Sequence, residues 1–353
     1  MEHIIRNQGG NQFISDSESE SCRAIWAGFA PVLSEPVFFA AINADRFLAS
    51  SAAGRVIVSK EPSWRTEETI AREAALLHEL SGTERLPYHL PLLLACKDHA
   101  EIPYLKNGGR LWTARKFIAG KSFDWRRTTW EETHCRAAAA ALAQLHRLSS
   151  DEDRRATALN QGGKPVDYEK ACLLDLEGRL KEFQAQVGAR QGSSAEQGAE
   201  AARRCLEKIR QALPFTDEVE GAVWIHGDFH PGNVIFTSTN AAVGVIDWDF
   251  ARRGDRLFDF MYSRLMFAGS FREEGCNELF KPELDRAFTS AYLNLIDFPC
   301  QEQALAQRAT LALSLILCFE LTTFLPSSSQ GTSIRTLIEQ IGRLQPAQVK
   351  LPA

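Results

Sequence analysis

The sequence predicts an α+β fold of two lobes, a small β-rich N-terminal lobe and a larger, mostly helical C-terminal lobe. Three observations predict it. Short β-branched and aromatic runs crowd residues 36–60, the hydrophobic period changes to that of a helix after Thr66, and Ala-rich or amphipathic stretches dominate the chain beyond Gly120. The length of 353 residues corresponds to about two domains. We divide the chain into a loose leader (1–20), an N-terminal lobe (21–118) and a C-terminal lobe (119–353).

The elements follow in order. Val37–Phe39, Arg46–Leu48 and Arg55–Lys60 read as strands of an antiparallel meander punctuated at Ala53-Gly54. Thr66 to Leu80 reads as a helix, because Ile70, Leu77 and Leu80 fall on one stripe and Glu67 and Glu68 suit a first turn. Thr66 can cap it, but Thr69 is neither acid nor amide, so no complete capping box is expected. Leu92–Cys96 and Leu111–Phe117 are strand-like, and Ala119-Gly120 is the break between lobes. Beyond it, Thr133–Leu148 is Ala-rich and helix-prone. Leu173 to Val187 and Ala199–Leu213 predict two more helices around a Gly/Ser/Gln-rich loop at 188–198. Val223 to Phe250 is strand and loop, and helices resume from Phe258.

Composition excludes several classes. Hydrophobic residues make up 44% and charged residues 24%, so the chain can bury a core. The net charge of -5 argues against a nucleic-acid partner and shows no attraction to a membrane surface. The run Leu311–Leu325 contains Glu320 and reads as a buried helix, not a membrane span. The N-terminus has no apolar signal region. Eight scattered cysteines without a Cys-x-x-Cys pair read as small buried hydrophobes in a reducing, cytoplasmic setting. Nothing in the sequence reports an oligomeric state.

The chemistry concentrates in Trp224–Phe236 and Val243–Asp249. His226, Asp228 and Asn233 form a His-x-Asp-x-x-x-x-Asn frame between two apolar strands, and Asp247 ends the next strand. This is the frame of a kinase catalytic loop followed by a metal-binding aspartate. On these motifs, with Leu142–His146 and Asp259 as weaker echoes, the chain resembles the aminoglycoside phosphotransferase/choline kinase-like family of small-molecule kinases. The resemblance covers roughly residues 30–340 and implies a protein-kinase-like fold.

It also implies a reaction, the transfer of the γ-phosphate of ATP or GTP to a hydroxyl of a small molecule. Asp228 would orient that hydroxyl and take its proton, and Asn233 and Asp247 offer hard oxygens for Mg²⁺. His226 would support the loop, and Asp259 would hold it by hydrogen bonds. Independently of the resemblance, Lys60 ends a β-branched run and Glu73 lies among apolar residues of the following helix. A carboxylate on an apolar face needs a partner, so a Lys60–Glu73 pair is expected to steady the nucleotide phosphates. Lys116 C=O and Ile118 N–H are the expected contacts to the purine.

The chain departs from protein kinases in four respects. Its phosphate-covering segment, Gly28–Pro36, is not Gly-rich, Gly227 replaces an arginine, Trp248-Asp249 replaces Phe-Gly, and Asp259 follows Asp247 too closely for an activation loop. A protein substrate is therefore not expected. The acceptor is instead an aminoglycoside or other antibiotic, an amino alcohol, a homoserine-like metabolite or a sugar. Between Asp247 and Asp297 ten acidic residues face seven basic ones, a slight excess that does not single out polycations. Two alternatives stay open. One is a metal-dependent hydrolase with His226, Asp228 and His230 as ligands beside Asp247, and the other is a nucleotide-binding pseudokinase.

Overall fold

The computed structural model describes most of residues 16–153 and 223–298, with residues 204 and 207 and parts of 309–317. The expected helices at 173–187 and 199–213, the loop at 188–198, and most of 311–325 and of the phosphate-covering segment lie outside the described residues. The chain divides into two compact units. Met1–Ser122 with Asn233–Asp249 forms the first, and Phe123–Gly232 with Phe250–Ala353 forms the second.

The first unit holds the expected antiparallel sheet. Its strands are β1 (Phe38–Asn43), β2 (Arg46–Ser51), β3 (Gly54–Lys60), β4 (Leu105–Asn107) and β5 (Arg110–Lys116), in the spatial order β1-β2-β3-β5-β4. Register decides what each face carries. Val56 pairs with Lys116 and Val58 with Ala114, whereas Ile57 pairs with Arg115 and Ser59 with Thr113. Successive side chains point to opposite faces. Val56, Val58 and Ala114 therefore share one face, which is buried in a core with Ile25, Trp26, Phe29 and Phe47. Three of these, Ile25, Trp26 and Phe29, belong to or just follow helix α1 (Asp16–Ala27), which occupies part of the predicted leader.

Helix α2 (Glu67–Ser81) follows β3. Thr66 Oγ1 accepts the Thr69 N–H at 3.2 Å, and Thr69 Oγ1 accepts the Thr66 N–H at 3.0 Å. A capping box thus forms after all, closed by a hydroxyl in place of a carboxylate. Leu92–Cys96 makes a single bridge to β5, Leu93 to Arg115, rather than a regular strand, with the Leu94 N–H donated to Ala114 C=O at 2.8 Å. The hairpin of β7 (Val234–Phe236) and β8 (Ala242–Val245) belongs to this unit, contrary to a boundary at residue 119. His89 exchanges backbone hydrogen bonds with Val243 and Val245, and Lys121 does so with Phe236. At Gly120, with φ of 156°, a Cβ would lie 2.6 Å from the Phe236 carbonyl, so no larger residue fits beside the hairpin.

The second unit is helical. Helix α3 (Glu132–Asp153) packs on α4 (Arg256–Ala268), α5 (Pro282–Leu293) and the short strand β6 (Val223–Ile225), which pairs with β9 (Arg252–Gly254). The Ala-rich face of α3 admits this closeness: Ala138, Ala139, Leu142, Ala143 and Leu145 are fully buried. Aromatic rings fill the rest, with Phe260 4.3 Å from Tyr292 and Phe267 stacked 5.4 Å from Phe288. Cys96 and Cys135 are buried, and burial pushes the Cys135 thiol up to about 12.

Candidate active site

In the second unit, β6 delivers the chain into the loop His226–Gly232. The loop hangs on Asp259, a residue of the first turn of α4. The Asp259 carboxylate accepts the His226 N–H at 2.9 Å and the Gly227 N–H at 3.0 Å. It also meets His146 Nε2 at 3.1 Å, and His146 Nδ1 lies 2.6 Å from the Tyr292 hydroxyl. His146, His226, Asp259 and Tyr292 are completely buried. Burial alone would raise the Asp259 carboxyl, but the hydrogen bond and charge of His146 and the backbone of His226 outweigh it and hold the group below its ordinary value. The role expected of Asp259 is therefore seen directly.

Local geometry then positions the Asp228 carboxylate. Gly227 has φ of 79°, and a Cβ there would sit 2.6 Å from the Phe250 carbonyl, which explains glycine where protein kinases carry arginine. His226 Nδ1 accepts the Asp228 N–H at 3.3 Å, and His230 Nδ1 accepts the Gly232 N–H at 3.0 Å. Both imidazoles thus brace the loop through Nδ1. His230 Nε2 lies 3.6 Å from Asp228 Oδ2, and the Tyr262 hydroxyl donates to Asp228 Oδ1 at 2.6 Å. Burial raises the Asp228 carboxyl, but His230 and Tyr262 more than offset it, so it stays ionised well into acid. Tyr262 was invisible to sequence reasoning, because a tyrosine inside an apolar helix carries no motif.

In the first unit the expected Lys60–Glu73 pair does not form. Lys60 bridges Asp45 at 3.0 Å, while Glu73 meets Arg65 and, at 3.1 Å, Arg115. Strand parity is the reason. Lys60 shares a face with Val56 and Val58, and Arg115, the partner of Ile57, lies on the other. The network extends further, with Arg115 3.1 Å or less from both Glu73 and Glu61, and Arg65 paired with Glu61 at 3.3 Å and with Asp249. Thr113 also donates to Glu61. Burial raises Glu61, yet Arg115, Thr113 and Arg65 together lower it. Asp249 behaves differently and rises to about 7, through burial and then the charge of Glu73. Arg65 touches it but is shared with Glu61 and Glu73. An arginine inside the strand-like run Leu111–Phe117, and Glu61 four residues before Arg65, were the available signals for this cluster.

The sign of these shifts gives a first prediction. A carboxylate lowered in the fold stabilises it above its unfolded value, about 3.9–4.3, and that stabilisation is lost as pH falls through the folded value. Asp228, Asp259 and Glu61 are all lowered. Denaturation midpoints should therefore drop steeply below about pH 4, and chemical denaturation at stepped pH would show a flat profile there if the reading is wrong.

Asn233 and Asp247 also belong to the first unit and are brought together across the β7–β8 hairpin. The Ile246 N–H donates to the Asn233 carbonyl at 2.9 Å, one residue before Asp247. Asn233 is buried and Asp247 is exposed with φ of 65°, a strained left-handed backbone for a residue other than glycine. Their oxygens are the hard donors that Mg²⁺ prefers. At the end of β5, the Lys116 N–H donates to Leu92 C=O and the Phe117 N–H to Arg55 C=O, both at 3.0 Å. Lys116 and Ile118, the expected purine contacts, lie at and just beyond the end of β5. Both residues line a cavity of about 550 Å³ with Leu80, Leu90, Leu92 and Val243.

The sequence model of a phosphotransferase enzyme family, abbreviated APH, matches residues 39–313. Among solved structures, the chain is similar to the amicoumacin kinase hAmiN in complex with AMP-PNP, Ca²⁺ and Ami, with a TM-score of 0.60 at 12% identity over 99% of this chain and 100% of that one. It is similar to a microcompartment-associated aminopropanol kinase, with a TM-score of 0.57 at 17% identity over 90% of this chain and 88% of that one. An aminoglycoside phosphotransferase from Alicyclobacillus acidocaldarius gives 0.56 at 12% identity, over 92% and 93%. At such identities the likeness is one of fold. A curated Arabidopsis thaliana protein, "Probable acyl-CoA dehydrogenase IBR3", is 27% identical over 229 residues, 61% of this chain. The chain spans about a quarter of that relative's length.

Proposed function

Because this chain belongs to the phosphotransferase enzyme family, we propose that it transfers the γ-phosphate of ATP or GTP to a hydroxyl of a small molecule. The observation that carries this is the hydrogen bond from the Tyr262 hydroxyl to Asp228 Oδ1 at 2.6 Å. An ionised carboxylate that receives one hydroxyl can receive another, and such a contact is what a base orienting an alcohol must make. Asp228 would align the acceptor oxygen and take its proton late, when the phosphoryl group has largely transferred.

The donor set of Asn233 and Asp247 fits a divalent cation, with Mg²⁺ the expected one. When bound, such an ion neutralises phosphate charge and fixes the phosphates. Glu73 would order the cationic groups around those phosphates. Lys116 C=O and Ile118 N–H would read the purine. A structural neighbour with AMP-PNP and Ca²⁺ supports a nucleotide donor. No helix among the described residues is long and apolar enough to cross a membrane. A cytoplasmic enzyme without a nucleic-acid partner is the reading we carry forward.

The hydrolase alternative loses its support. It required His226 and His230 as metal ligands, and both turn Nδ1 onto backbone N–H groups of their own loop. The decisive experiment is a nucleotide-consumption screen over hydroxylated antibiotics, amino alcohols, sugars and hydroxy amino acids. Tyr262→Phe adds a second prediction. Removing the hydroxyl leaves Asp228 with one donor fewer, so KM for the acceptor should change several-fold while nucleotide affinity holds. Unchanged acceptor kinetics would place Tyr262 outside the acceptor site.

A further inference from the structure

We propose that Arg115 is the cation that meets the nucleotide phosphates in this chain, in place of a lysine on β3. The inference rests on the phosphotransfer reading above. Three observations within the first unit carry it.

The first is parity. The residue of β3 that shares the Arg115 face at the end of the strand is Ser59, which pairs with Thr113. A lysine at that position would reach toward Glu73, but the chain has a serine there, 5% exposed. Lys60, one residue on, faces the other way and is held by Asp45.

The second is substitution in space. Arg115 enters from the neighbouring strand, opposite Ile57, and brings its guanidinium to Glu73 and to Glu61. These carboxylates fix it as a helix carboxylate fixes a strand lysine. The pairing is a planar, multi-donor one, which arginine serves better than lysine.

The third separates Arg115 from Arg65. Arg65 has 1% of its side chain exposed and is shared among Glu61, Glu73 and Asp249. Arg115 has 17% exposed. Its Nη1 serves Glu61 and Thr113, and its Nη2 serves Glu73. A guanidinium carries five N–H donors. Among the described residues, the second N–H of Nη2 and that of Nε remain for an anion. Arg65, sealed from solvent, is therefore a brace tying Glu73 to Asp249, and Arg115 is the group whose remaining donors an anion can reach.

The test compares a nucleotide with its nucleoside. Binding of ADP and adenosine, or of GDP and guanosine if the protein prefers them, is measured by calorimetry on wild type, Arg115→Met, Ser59→Lys/Arg115→Met and Lys60→Met. Arg115→Met should weaken the diphosphate by about 10–100-fold, the range for hydrogen bonds to charged groups, and leave the nucleoside within about twofold. The Ser59→Lys/Arg115→Met swap should recover most of the loss, because it returns a cation to Glu73 from the correct face. Lys60→Met should bind the diphosphate as wild type does. The assignment is overturned if Arg115→Met keeps diphosphate affinity, if Lys60→Met loses it selectively, or if both Arg115 variants lose nucleoside and diphosphate alike. If Arg115→Met alone fails to fold, the swap variant decides, since it restores the charge that Glu73 and Glu61 require. A wild type that binds neither nucleoside nor nucleotide sinks the kinase reading itself, and so is distinct from a failure at Arg115.

Discussion

Asp228→Ala should lower kcat by about 10²–10⁴-fold, the usual contribution of a positioned base, and leave nucleotide affinity unchanged. The carboxylate is braced by His230 and Tyr262, neither of which lies in the first unit with Glu73 and Arg115. Truncating it removes the group proposed to orient the acceptor and leaves every residue of that cluster in place. Asp228→Asn is the sharper variant, since it keeps shape and loses the charge and the basicity together. Single-turnover kinetics with the acceptor found in the screen, beside nucleotide titration, would check this. Full turnover in either variant would end the assignment of Asp228 as base.

Asp259→Ala should be nearly as damaging, by a different route. The residue is completely buried and its two oxygens serve His146 and the backbone N–H groups of His226 and Gly227. Removing one member of such a buried set leaves the others unpaired and costs about 3–5 kcal/mol. The same change releases the loop that carries Asp228, so kcat should fall even in the fraction that stays folded. Asp259→Asn keeps one acceptor and should sit between wild type and alanine. Urea denaturation of the three proteins checks the order, and equal midpoints would show that the loop is held by something else.

The candidate loop was legible in the sequence because its polar residues lie close together along the chain. His226, Asp228, Asn233 and Asp247 stand at fixed spacings between apolar strands, and their types are those that phosphoryl transfer requires. The meander, α2 and α3 were legible because hydrophobic period survives without tertiary context. Lys60 was misplaced for a reason that single-sequence reading cannot avoid. The last residues of a strand can fall on either face, and the partner strand decides which. The pairing of Ile57 with Arg115 brings a β5 arginine, rather than Lys60, to Glu73. The β7–β8 hairpin was likewise assigned by chain order, whereas His89 and Lys121 tie it to the first unit. Helix α1 was overlooked because its acidic first half reads as a solvated tail.

The buried path from His146 through Asp259 to the reactive loop has a consequence for biosynthesis. The loop at 226–232 leaves the ribosome before Asp259, and both precede Tyr292, which closes the path on His146. Until α4 emerges the loop lacks its anchor, and until α5 emerges α3 lacks the neighbour it packs on. Nascent chains halted before Asp259 should therefore hold an unformed loop, which takes its shape through contacts between distant parts of the chain rather than by local folding.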